Sequence, residues 1–421
     1  MTIRAQQRTD PLTVQFVVTS LPVGGAEVLL LNLVQAMDWQ RFRPEVICLK
    51  EPGEMGPQFS EVVPVHANLL YSKGDLLVVP RLAKLVRSRK TDALITVGAG
   101  DKMFWGRLAA KMADLPVICS ALHSTGWPDG VGKLNRLLTP LNDGFIACAQ
   151  AHAEHLSKYE HFPRNKVFAI PNGVDTDRFM PDPESASWLR SELRVSPQSK
   201  LVGIVAALRE EKNHAQFIKA ALHVLKLEPD TQFVIVGDGP EAKQVQELVL
   251  NVPHPRNFHL LGNRQDTPRI LAGLDVFCLT SKNEANPVSI LEALACEVPV
   301  VAPNVGSVHE TVIDGETGFL TEPFSSKSTA KALLQLLQNQ DAAAACGQAG
   351  RKHVICNSSL QVMVNGYQQM LVKLYNQKAE KRRLPLVKAT LEGLPSTQFE
   401  GCEANQPSVR TDPSLELVEH N

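Results

Sequence analysis

The stretch DVFCLTSKNEANPVSILEALACEVPVVAP (275–303) decides how this chain folds. DVFCLT (275–280) is apolar at nearly every position and reads as a strand. A polar loop follows, then Asn286-Pro287, where Asn is a good helix cap and Pro suits the first helical position. A helix is predicted over Val288–Ala295, and PVVAP (299–303) is a second apolar strand. Strands that are apolar almost throughout are buried on both faces, which implies a parallel sheet covered by helices.

The same alternation extends in both directions. Strands are expected at 13–20, 45–50, 92–98, 116–123 and 143–149, and again at 200–208, 231–237 and 258–262. Helical patterns such as Ala26–Met37 and Leu76–Arg87 lie between them. Two such series predict an α/β protein of two doubly wound domains. The break falls in NGVDTDRFMPDPES (172–185), whose Asn, Asp, Gly and Pro are turn and linker residues. This gives one domain over 1–180, a second over 181–358, a helical segment over 359–380 and a tail over 381–421. The tail loses periodicity and gathers Pro, Ser, Glu and Gln, a disordered composition.

The 43 Lys and Arg nearly balance the 44 Asp and Glu, for a net charge of −1, so nothing calls for a nucleic-acid partner. The basic runs Arg81–Lys90 and Lys378–Arg383 read as solvated surfaces, with a membrane surface as the other option. Eight scattered cysteines without a CxxC pair fit thiols in a reducing compartment. The start MTIRAQQRTDP has no apolar signal core, and no apolar run approaches the roughly 18 residues of a membrane span. A cytoplasmic protein is expected.

Ligands of doubly wound sheets bind beyond the carboxyl ends of the strands. In 281–303 the first helical N–H groups, of Val288, Ser289 and Ile290, are expected to face the cleft and hold a phosphate or sugar oxygen. Glu284 and Glu292 can accept hydrogen bonds from sugar hydroxyls; the bland alternative is a capped helix with two surface acids. In LVGIVAALREEKNH (201–214), Arg209 and Lys212 follow a strand where a diphosphate needs neutralising, unless the loop is merely charged. In SLPVGGAEVLLLNLVQAM (20–37), Gly24-Gly25 can bring backbone N–H groups to an anion. The segment is not G-x-G-x-x-G, which argues against a nicotinamide dehydrogenase. His123 ends a strand in CSALHSTGWPDG (119–130), and Trp127 and Asp129 follow in the next loop as candidate ligand contacts.

These segments resemble the retaining glycosyltransferases of family four, which have the GT-B fold: two Rossmann-like domains facing across a cleft. The family signature is Glu, seven residues, Glu, then A-x-A-x-G-x-P-V-V; Glu284, Glu292 and EALACEVPVV match it. The resemblance covers roughly residues 13–375 and implies an N-terminal acceptor domain and a C-terminal donor domain. It also implies that the 359–380 helix crosses back to the first domain. Glu292 would hold the ribose, Glu284 and His123 the donor sugar, and Lys212 the phosphates. Asn263 and Arg264 would lie where the backbone reads the base. Asn172-Gly173 would sit at the hinge, and Gly306 and Glu310 would line the donor pocket or cap a helix. There are departures. Ala285-Asn286-Pro287 stands where Gly-Phe-Gly is usual, Glu297 replaces a Gly, and Ala207 takes the place of an Arg for which Arg209 would substitute.

The implied activity is transfer of a sugar from a nucleotide-diphosphate donor such as a UDP-sugar to a hydroxyl acceptor, with retention. No protein nucleophile, metal or other cofactor is expected, since Asp175 and Asp177 form their D-T-D only in the linker. The setting would be glycan, lipid-linked oligosaccharide or polysaccharide biosynthesis, with peripheral contact at the inner face of a membrane. A sugar-nucleotide epimerase on the same fold and a non-catalytic GT-B binding protein are the alternatives.

Overall fold

LTVQFVV (β1, Leu12–Val18) is buried at every position, as a central parallel strand with helices on both faces must be. In the computed structural model, which describes residues 7–72, 74–123 and 130–388, this strand is the third of a seven-stranded sheet. Its partners are β2 (Phe42–Cys48), β3 (Val65–His66), β4 (Ala93–Val97), β5 (Val117–Leu122), β6 (Gly144–Ala147) and β7 (Val167–Ala169), in the order β3-β2-β1-β4-β5-β6-β7. The second sheet contains β8 (Leu201–Val205), β9 (Gln232–Val236), β10 (Phe258–Gly262), β11 (Val276–Cys278), β12 (Val300–Pro303) and β13 (Gly318–Thr321), in the order β10-β9-β8-β11-β12-β13. Every pairing is parallel. The edge strands β3, β7 and β13 are additions to the sequence reading. They are only two to four residues long, too short for a periodicity to register.

In both sheets the strand order reverses once, between β1 and β4 and between β8 and β11. Those reversals open a crevice at the strand ends, where ligands of such sheets sit. The loops after β1, β8 and β11 carry most of the candidate residues, while His123 follows β5 and Asn263 and Arg264 follow β10.

The chain passes between the sheets twice, side by side. Val174 donates to the Ser358 carbonyl at 2.9 Å, and Leu360 donates to that of Val174 at 2.8 Å. A Cβ at Gly173 would lie 2.8 Å from the Leu360 Cα, so only glycine lets the two crossings touch. Beyond the second crossing the helix Leu360–Arg382 packs Met363, Val364, Tyr367, Leu371 and Tyr375 into the core of the first sheet. The disordered reading from 381 onward does not hold for its first residues. Leu386 and Val387 pack against that same core, the Leu386 carbonyl accepts from Arg8, and Asn376 bonds Val387 through both backbone groups. Residues 389–421 lie outside the described chain. Six cysteines are buried free thiols among the described residues.

Candidate functional site

β8 ends at Val205 and delivers Arg209 and Lys212 through a tight turn, in which the helical turn Glu210–Lys212 begins on Arg209. β11 ends at Cys278 and delivers Glu284. The two loops meet where the Lys212 Nζ lies 2.5 Å from the Glu284 Oε1. Both side chains are largely buried, at 24% and 10% exposure, so this pair is far better shielded than a surface ion pair. Sequence spacing placed the two residues in one site but gave no sign that they bond each other. Arg209 is exposed and forms no ion pair among the described residues; its charge acts on Glu27 across the cleft. Ala207, at the family's Arg position, is exposed in the same turn.

The helix after this loop runs Val288–Ala295, but Asn286 does not cap it. Pro287 occupies the cap position in extended conformation (φ −72°, ψ 115°) and contributes no side-chain hydrogen bond. Asn286 is instead turned sideways: its Nδ2 reaches the Thr311 Oγ1 at 3.4 Å, and its carbonyl accepts from the Asn172 Nδ2 at 2.8 Å. The Ile290 N–H is taken by the Pro287 carbonyl. The anion-holding donors therefore reduce to Val288 and Ser289, whose N–H groups have no partner among the described residues.

Glu292 lies one turn further along. Burial pushes its carboxyl up to about 7, with the charge of Arg178 opposing. Hydroxyls that donate to the carboxylate favour its charged form, so donor binding should lower this value and expel a proton. Calorimetry of nucleotide-sugar binding at pH 6, in two buffers of different ionisation enthalpy, will show proton release; the doubly esterified diphosphate does not itself titrate in this range, unlike a terminal phosphate. Affinity will rise with pH and level off above about 7. Glu292→Gln removes both effects; a wild-type enthalpy independent of buffer would refute the assignment.

Asn263 and Arg264 follow β10. The Arg264 guanidinium is held by Asp266 at 2.7 Å and Glu192 at 3.2 Å, and these bonds, that to Asp266 first, raise it above the usual arginine range. Its side chain is thus committed to structure, leaving only the backbone for a ligand. Gly306, after β12, turns at φ +53° directly beneath Glu284: a Cβ there would lie 1.8 Å from the Glu284 carbonyl oxygen. Glu310 does not line the donor loop; its carboxylate caps a helix of the first domain. Glu297 sits just past the helix end at φ +60°. That left-handed position is where glycine is favoured, so this departure concerns a helix terminus and leaves the site untouched.

Across the cleft, β1 leads to Gly24, the cap of the helix Gly25–Ala36. Here the helix start is shared with a side chain: Glu27 bends back to its own N–H, and a Cβ at Gly24 would lie 2.5 Å from its Oε2. Burial raises Glu27 above the usual carboxylate range against that bond and the charges of Lys102 and Arg209. Glu27, Lys102, Thr19, Ser20 and His123 line a cavity of roughly 210 Å³. His123, just past β5, is driven down to about 4 by burial and by Lys102, and its buried Nδ1 has no partner among the described residues. It stands as a neutral imidazole at the cavity wall. Trp127 and Asp129 lie outside the described residues.

Lys102 escaped the sequence reading, and Glu27, at the end of Gly24-Gly25-Ala26-Glu27, was given no role of its own. Lys102 had a signal: it is the second residue of the helix Asp101–Met112, after GAG, where a cation opposes the helix dipole. A charge in that unfavourable place is a reason to look for a ligand.

Residues 189–353 match the model of the glycosyl transferases group 1, and residues 23–178 match that of glycosyltransferase family 4. The chain belongs to glycosyltransferase family 4. It is 27% identical over 337 residues to the UDP-Gal:alpha-D-GlcNAc-diphosphoundecaprenol alpha-1,3-galactosyltransferase of Escherichia coli, covering 76% of this chain and 86% of that protein. It is 24% identical over 318 residues to the putative glycosyltransferase EpsF of Bacillus subtilis, with 72% and 82% covered. Among solved structures, Anabaena HepE in complex with UDP and glucose superposes with a TM-score of 0.75 at 22% identity, over 86% of this chain and 99% of that one. The fold is therefore GT-B, and the protein is a glycosyltransferase of the retaining type.

Proposed function

We propose that this glycosyltransferase moves a sugar from a UDP-sugar to a hydroxyl of a lipid-linked or glycan acceptor. The observation that carries the reading is the opposition of two sets of groups across one cleft. On one side stand Lys212, Glu284, the open N–H groups of Val288 and Ser289, and Glu292. On the other is the cavity lined by Glu27, Lys102 and His123. The first set suits a ribose, a diphosphate and a sugar; the second suits a polar acceptor.

In this reading Glu292 accepts from the ribose hydroxyls. Lys212, Arg209 and the helix start stabilise the negative charge that grows on the departing diphosphate, with no metal required. Glu284 positions the donor sugar, with its carboxylate held by Lys212. His123, which lines the cavity as a neutral imidazole, contacts the transferred sugar.

A thermal-shift panel of UDP, GDP and ADP and their sugars tests the donor. Mass action should raise the melting temperature with UDP and the UDP-sugar; a response to GDP or ADP alone would overturn the choice of base.

The acceptor side draws support from the bacterial relative named for a diphosphoundecaprenol-linked acceptor and from the surface of the first domain. No helix among the described residues is long and apolar enough to cross a membrane. Tyr71, Leu76 and Leu77 are 73%, 72% and 64% exposed beside the helix Val78–Ser88, which shows Lys84 and Arg87 to solvent. Apolar tips with basic neighbours suit the anionic inner face of a membrane. The protein should sediment with vesicles containing phosphatidylglycerol and not with pure phosphatidylcholine. Equal recovery with both, or with neither, would remove the surface from the proposal.

A further inference from the structure

Glu310 lies in the short helix Val308–Thr311 of the second domain. Its Oε2 accepts from the N–H of Gln150 at 2.8 Å, and its Oε1 accepts from that of Ala151. Those are the first two residues of the helix Gln150–Lys158 in the first domain. That helix has no cap of its own, because its cap position holds Ala149 (φ −162°, ψ 163°). A helix start leaves N–H groups unpaired and carries partial positive charge, so a carboxylate there satisfies both. Here the carboxylate comes from the opposite side of the cleft.

Glu310 is also continuous with the donor loop. Its N–H donates to the Ser307 carbonyl at 3.1 Å, and the Ser307 N–H donates to the Glu284 carbonyl at 3.1 Å. The His353 Nε2 bonds the Glu310 carbonyl from behind at 3.1 Å. The hydrogen bond from Asn172 to the Asn286 carbonyl ties the same loop to the crossing segment.

We propose that Glu310 is a positioning residue, an interdomain latch that takes the place of a missing helix cap and so holds the donor loop over the first domain's cavity. The test compares Glu310→Ala and Glu310→Gln in the full chain by hydrogen exchange and small-angle X-ray scattering, neither of which needs a substrate. In Glu310→Ala the amides of Gln150 and Ala151 should exchange roughly tenfold faster, the fold-change expected for a lost cap. The radius of gyration should also increase. Glu310→Gln keeps one acceptor oxygen and should fall between wild type and alanine in both measurements.

Ala149→Ser in the Glu310→Ala background separates a latch from a plain cap. A local serine cap should restore amide protection while the scattering profile stays expanded. Restoration of both would overturn the proposal, as would a Glu310→Ala profile identical to wild type. Were Glu310→Ala to lose its fold, Glu310→Gln alone decides: unchanged scattering with faster exchange would likewise overturn it.

Discussion

Replacing Lys212 with alanine will cut kcat/KM for the nucleotide-sugar by about a thousandfold, the upper end of what one preorganised donor to a developing anion supplies. Two losses combine. The departing diphosphate forfeits a cation at the start of the donor loop, and Glu284 is left 10% exposed beside no partner. Removing one member of a shielded pair costs more than the pair contributed, because the survivor stays desolvated. Since Lys212 keeps 24% exposure and water can reach the gap, a stability loss of about 1–3 kcal/mol is expected, read as a lower melting temperature.

Glu284→Ala distinguishes the two losses. It relieves the orphaned carboxylate but leaves Lys212 for the phosphates. UDP affinity should therefore fall in Lys212→Ala and hold in Glu284→Ala, while turnover falls in both. If UDP binds equally well to wild type and Lys212→Ala, the lysine serves only Glu284 and its phosphate role is wrong. Lys212→Arg should not rescue fully, because a planar guanidinium cannot take the place of a compact ammonium 2.5 Å from the Glu284 Oε1.

Replacing Gly306 with alanine will lower kcat by about a hundredfold while the chain stays folded, although Gly306 need touch no substrate. The new Cβ would fall 1.8 Å from the Glu284 carbonyl oxygen and 3.0 Å from the Asn283 Oδ1. Backbone cannot absorb such an overlap, so the loop must retreat by more than an ångström. It takes Glu284 with it and strains the hydrogen bond from Ser307. Misplacing a positioning group by about 1 Å costs on the order of a hundredfold. The left-handed φ of +53° adds about 1–2 kcal/mol for any residue with a side chain. Far-ultraviolet circular dichroism should match wild type, with a modestly lower melting temperature. Wild-type kcat in Gly306→Ala would mean that the loop tolerates displacement and that Glu284 does not need its observed position.

How far each feature was legible follows from the range of the forces behind it. The central strands and the helix Val288–Ala295 were readable because burial on both faces leaves continuous apolar runs, and because Pro next to Asn marks a helix start. The identity of the cap was not. Asn286 has the chemistry of a cap, yet contacts from Asn172 and Thr311, distant in sequence, draw it elsewhere. Lys212 and Glu284 were recognisable from their places after two strands. Glu27 was hidden because its significance depends on burial beside Lys102 and on a glycine turn that leaves room for its carboxylate. Nothing among the described residues or in the relatives named above favours an epimerase or a non-catalytic binding protein.

The sequence by itself determined two parallel α/β sheets and the alternation of strands and helices that builds them. These follow from local patterns of apolar and turn residues. Only the tertiary structure decided that Lys212 bonds Glu284, that Glu310 reaches over to the helix at Gln150, and that Gly306 supports the donor loop. Each of those contacts joins segments far apart in the chain, and their distances are set by how the sheets and crossings pack.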